Sequence, residues 1–158
     1  MPTSPEIIDL VHDVLKNAPG LAGVKEWNKA NSLVTLAAPG CSIGLDEEKF
    51  EAYSRDQDEA TARLSILFWS KNIDQAAGEA EVRELAQQAR LALTANRTLG
   101  GAVDDSFVEG IRYATADGGK SILLHLAEVS YRVTYYTDRF IAEAETPIEQ
   151  LDHDVGAE

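Results

Sequence analysis

The chain has very little with which to do redox or metal chemistry, since its 158 residues hold one cysteine and three histidines. With Cys41 alone no internal disulfide can form, which fits folding in a reducing compartment. His12, His125 and His153 fall on a helix, a strand and the C-terminal segment, and no Cys/His spacing matches a zinc site. No metal, no cofactor and no catalytic residue is therefore expected. Long apolar runs are missing too: no stretch approaches the roughly 20 apolar residues of a membrane-spanning helix. The opening MPTSPEIIDL has no basic region ahead of an apolar one, so neither an export signal nor a membrane anchor is expected. Positive charge is scarce, with 14 basic residues against 27 acidic ones and a net charge of -13. A surface of that sign repels phosphates and acidic membranes, which disfavours a DNA-gripping role.

The acidic groups and glycine pairs lack the marks of ligand loops. Asp46-Glu47-Glu48 and Asp56-Gln57-Asp58-Glu59 have neither the turn glycine nor the terminal glutamate of a calcium loop and read as a solvated acidic face. Gly100-Gly101 and Gly118-Gly119 are without the spaced glycines and lysine of a phosphate loop and read as turns.

What is present is periodicity. Leu123, His125, Ala127, Val129, Tyr131, Val133 and Tyr135 alternate with a set that becomes polar after Leu126, the period of a long strand covered on both faces in its first half. Phe107 to Thr115 is the expected partner, with Phe107, Glu109, Ile111 and Tyr113 on one face and Val108, Gly110 and Arg112 on the other. Ala116-Asp117-Gly118-Gly119 closes the hairpin. Ser4-Pro5-Glu6 has the composition of a helix start, with a hydroxyl cap, and Ile7, Leu10, Val11, Val14 and Leu15 follow at helical spacing. The same period returns from Asp74 to Ala95 and ends at Asn96. Short strands are expected around Val24 to Trp27, Leu33 to Ala37 and Cys41 to Leu45, then a long loop or frayed turn over Asp46 to Ala62 and a strong strand over Arg63 to Ser70. Burying both helices on one sheet makes the class α+β: a mixed or antiparallel sheet, two main helices on one face and a long C-terminal hairpin. One domain over residues 1–140 and an acidic tail over 141–158 follow.

Few side chains stand out. His125 and Cys41 read as core residues. Trp27, Trp69, Tyr131, Tyr135 and Tyr136 could stack a ligand, although aromatics on strands more often serve a core or an interface. Leu67 and Trp69 are apolar on the face opposite Leu64, Ile66 and Phe68, so a neighbouring subunit is expected to cover one face, with Leu67, Trp69 and Tyr136 at the oligomer interface. Asn96, Leu99, Gly100 and Gly101 form a structural turn in which one or both glycines take positive φ.

The helix ending in NRTLGGAVDD, the strand FVEGIRYA and the strand LAEVSYRVTYYTD together resemble the C-terminal half of tail terminator and tail completion proteins of tailed bacteriophages. There an Asn-x-Thr-Leu-Gly-Gly turn follows the second helix, and the last strand carries Ala-x-Val-x-Tyr-x-Val-x-Tyr, here Ala127, Val129, Tyr131, Val133 and Tyr135. The resemblance covers most of the chain in outline and its last third in specific residues. It implies a structural virion protein with no reaction, found in the tail or neck of the particle and in host cytoplasm during assembly. Such proteins form a homohexameric ring that caps the tail tube, ends its polymerisation and meets the head-side connector or neck protein. DNA passes through without specific binding, and carboxylates from Asp46 to Glu59 or from the tail are expected at the lumen or its rim. Alternatives are a neck or head-completion protein, or an acidic small-molecule or protein-binding module.

Overall fold

Thr3 ends an extended segment and occupies the N-cap position of the first helix, its hydroxyl donating to the Glu6 carboxylate Oε1 at 2.9 Å rather than bonding a backbone N–H, while Pro5 occupies the first turn. The computed structural model, which describes residues 2–30, 38–117 and 123–139, thus places the cap one residue earlier than Ser4. The helix α1 (Ser4–Lys16) buries Ile7, Val11 and Leu15, one face at intervals of four. A 3-10 turn at Pro19–Leu21 then leads to β1 (Glu26–Asn28).

Two long strands follow, β2 (Gly40–Ala52) and β3 (Gln57–Lys71). The segment expected as a loop is their outer half: Glu47 to Ala52 pairs antiparallel with Asp58 to Arg63, forming an arm closed at Tyr53 to Asp56. Its outer β2 residues are charged or exposed on both faces, so it carries no apolar alternation. The expected strand around Leu33 to Ala37, the Gly118-Gly119 turn and the tail 141–158 lie outside the described residues.

The second helix, α2 (Gln75–Ala95), starts at Asp74, whose carboxylate accepts from the backbone N–H groups of Ala76 (3.0 Å) and Ala77 (3.3 Å). After it come β4 (Asp105–Asp117) and β5 (Leu123–Asp138). The sheet runs β1-β2-β3-β5-β4, parallel only between β1 and β2. Both helices lie on one face, α2 over β3, β5 and β4 and α1 beside it over β2. The α+β class with one mixed sheet and a C-terminal hairpin is therefore the architecture observed.

Registration sorts the side chains. Cys41 and Ile43, then Leu64, Ile66 and Phe68, and Ala127 to Tyr135 at every second residue meet the helices in one buried cluster. The other face carries Ser65, Arg63, Glu128 and Arg132. Two bulges interrupt the pairing, at Asp46 between Leu45 and Glu47 and at Glu109 between Val108 and Gly110. The second corrects the expected alternation of β4. Ile111 and Tyr113 stand opposite Val129 and Ala127 on the helix side, whereas Phe107 stands opposite Arg132 on the open side.

Candidate functional site

Two surfaces remain uncovered, the open face of the sheet and the groove where α2 meets β4. Glu47, Arg63, Arg132 and Glu109 cross the open face in one row. Arg63 and Arg132 stand opposite each other on β3 and β5, an unfavourable like-charge pair. Glu109 holds both: its Oε1 lies 3.3 Å from Arg63 Nε and its Oε2 3.3 Å from Arg132 Nη1. Glu47 lies 3.8 Å from Arg63 and 3.7 Å from Lys49. The extra residue of the β4 bulge is thus the anion that reconciles the two arginines. Arg132 also stacks over the Phe107 ring at 5.7 Å.

Nearer the helix-covered end, Glu128 accepts from Ser65 Oγ at 2.8 Å and from Arg112 Nη2 at 2.8 Å. These two hydrogen bonds, Arg112 first, hold its carboxyl below the ordinary glutamate range. Asp46, the bulged residue of β2, is displaced the other way, by desolvation and then by the Glu128 charge. A face of alternating fixed charges binds water and complementary charge. Among the described residues no group of three or more His, Cys, Asp and Glu side chains is gathered to hold a metal ion.

The groove runs the length of β4, which among the described residues has a strand on one side only. Its first hollow, about 390 Å³, lies among Arg90, Thr94, Arg97, Ser106, Val108 and Tyr131. A second, about 380 Å³, lies among Glu79, Arg83, Tyr113 and Thr115. Gln87, Arg90 and Ile111 border the stretch between. Arg97 is anchored, its Nε 2.5 Å from Asp105 Oδ1, and that contact holds the Asp105 carboxyl below its ordinary range. Tyr131 Oη is buried with no hydrogen-bond partner among the described residues, the neighbouring Ser106 hydroxyl donates to the Arg97 carbonyl at 2.6 Å, and burial, opposed in part by Ser106, pushes the phenol up to about 12.

The residues singled out from sequence scatter. Trp69 is on the open side but 0% exposed, packed against Gly40 within the single chain, so the chain itself covers it. Leu67 and Tyr136 are half-buried, and Tyr136 donates to Glu59 at 3.2 Å beside the Tyr53 ring. Of the five aromatics, Tyr131 and Tyr135 join the core and Trp27 meets His12 edge to face at 5.7 Å, so no shared stacking surface forms. Cys41 is buried and its thiol is pushed up by desolvation. His125 is fully buried, its Nε2 3.1 Å from the Asn72 carbonyl and its Nδ1 3.4 Å from Thr115 Oγ1. The turn after α2 has φ of 48° at Leu99, 74° at Gly100 and 88° at Gly101, with Leu99 tucked into the core. Sequence reasoning missed Glu109 and the arginines Arg83 and Arg90. The seven-residue spacing of Arg83 and Arg90 on α2, continued by Arg97 just past its end, is the signal that could have found the latter.

No protein-family model matches the chain. No curated protein matches it either. Among solved structures, a chain from the virion of a native gene transfer agent particle is similar at 15% identity and a TM-score of 0.42, over 83% of this chain and 95% of that one.

Proposed function

We propose that this is a structural virion protein of a tailed phage or phage-derived particle. In this reading it acts as a tail terminator, assembling as a ring that caps the tail tube, ends its growth and meets the head-side connector. It has no reaction of its own. The observation that carries the reading is the unfinished sheet. The 13 residues of β4 have an outer edge with no partner strand among the described residues, and so does the outer half of β2 on the side away from β3, because β1 pairs only with Gly40 to Ser42. Long edges of that kind invite a second chain, and a closed ring removes them without opening a fibre. The resemblance in the NRTLGG turn and the last strand supports the same reading, since both stretches fall at structurally demanding places, the left-handed turn and an interior strand that contributes five residues to the core. The net charge of -13 suits a channel in which duplex DNA slides without adhering. Carboxylates of the arm act on DNA only within about 8 Å at physiological salt.

Light scattering and electron microscopy of the purified chain test the assembly, and the expected result is a discrete closed ring. A monomer at high concentration overturns it. Adding the protein to growing tail tubes then separates the two positions in the particle: a terminator arrests elongation and sits on one tube end, whereas a neck protein leaves tube length unchanged.

A further inference from the structure

Along β4 the structure offers two things at once, an unpaired strand edge and a helix that presents cations beside it. Arg83 and Arg90 lie on the groove side of α2 and are exposed, and neither has an ion-pair partner among the described residues. They are two turns apart, about 10.5 Å along the helix axis. Arg97 continues the stripe but is engaged by Asp105. The floor between is apolar, formed by Val82, Leu93, Val108 and Ile111. A segment that fits must be extended, acidic on the side facing α2 and small on the other side.

The chain contains one such stretch. Ile141-Ala142-Glu143-Ala144-Glu145-Thr146 alternates glutamate with alanine and stops at Pro147, and the residues after Arg139 hold no basic side chain. Reach decides which copy supplies it. Arg139 is tied to the arm: its backbone N–H donates to the Asp56 carbonyl at 2.8 Å and its guanidinium lies 2.8 Å from Asp58. From there Glu143 can lie at most about 14 Å away. Arg90 lies beside Val108, which is level with Tyr131 and so about 26 Å back along β5. Neither Glu143 nor Glu145, the latter at most about 21 Å from Arg139, can therefore take a place level with Val108 on the β4 edge of its own chain. The arm of a neighbouring subunit could deliver them.

We propose that residues 141–146 of a second copy add as a strand to the free edge of β4, with Glu143 and Glu145 turned toward Arg83 and Arg90 of α2. The proposal rests on the ring reading and deepens it, because it states what joins consecutive subunits: the arm end of one to the α2–β4 groove of the next. The small side chains of Ala142 and Ala144 then fall on the open side beside Gly110, where even an added Cβ would meet no atom within 4 Å.

The test uses two full-length variants, one carrying Gln87→Cys in the groove and the other Ile141→Cys, on the same face of the segment as Glu143 and Glu145, mixed during assembly and treated with a short bis-maleimide. Cys41 is buried and does not compete. The expected result is a covalent pair containing one copy of each variant. Its yield should fall at least about five-fold when Arg83→Glu and Arg90→Glu are added, as two reversed charge pairs of modest individual worth predict. An intact ring without the cross-link overturns the groove proposal and leaves the ring standing. A chain carrying both cysteines that links only to itself also overturns it. A monomer by light scattering overturns both readings together.

Discussion

Asp46 and Glu128 share the open face but stand in opposite relations to stability. The folded pKa of Glu128 is depressed by Arg112 and Ser65. Its contribution is therefore complete above the unfolded value, about 4.3, and is lost as pH falls through the lower folded value. Asp46 has a raised folded pKa, so its carboxylate costs stability at neutral pH, and that cost disappears as pH falls through the folded value. Thermal denaturation at pH 7 should show Glu128→Gln melting lower than the parent and Asp46→Asn slightly higher. Both differences should shrink once pH falls below the unfolded values, about 4.3 and 3.9, the Glu128 difference last because its folded value is the lower one, and each amounts to no more than a few degrees because the groups are partly solvated. A different constraint acts at Gly78, where a Cβ would collide with the buried His125 ring. Alanine would gain about 1 kcal/mol of helix propensity there. The collision outweighs that gain, and Gly78→Ala should destabilise by about 1–2 kcal/mol in urea titrations. Combining it with His125→Ala should cost less than the sum of the two single changes.

Among the elements, those whose environment differs between faces were legible in the sequence. The helix α2, the strand β5 and the start of α1 each set apolar against polar residues at a regular period, and a one-sided environment selects for that pattern. The arm was not legible, since Glu47, Lys49 and Glu51 on one face and Glu48 and Phe50 on the other are all at least partly exposed and nothing selects an alternation. Nor could alternation alone predict that Trp69 is covered by its own chain. The groove was half legible: the arginine spacing is in the sequence, but its position beside β4 depends on how α2 crosses the sheet. The turn after α2 was readable because Leu-Gly-Gly can take positive φ at little cost only through its glycines. Gly100→Val and Gly101→Val should each lose about 1–2 kcal/mol in denaturant titrations, since a β-branched residue is forced into the left-handed region.

For the whole molecule, the burial of Trp69 changes what a substitution there reports. Trp69→Glu places a carboxylate in a fully enclosed site. We expect loss of the folded state, or at least about 3–5 kcal/mol of destabilisation, rather than a well-folded monomer. Circular dichroism and size exclusion on the same sample distinguish these outcomes. Leu67→Glu, at a half-buried position of the same strand, costs less stability than Trp69→Glu, and a change of assembly state in that variant would report a subunit contact on the open face of the sheet.

The two bulges lie on one line across the sheet. Leu45 is opposite Leu64, Leu64 opposite Tyr131 and Tyr131 opposite Val108, and the inserted residue is acidic on both outer strands. For inheritance this means that the two faces of β4 do not depend on Glu109 being counted. Losing that single codon would leave Phe107 opposite Arg132, Val108 opposite Tyr131 and Gly110 opposite Ser130, a ladder already consecutive along β5, and would remove only the kink and the anion between Arg63 and Arg132. Lineages of this chain should therefore keep an acidic residue in the bulge wherever both arginines remain, and a lineage that loses the bulge should lose one of those arginines with it.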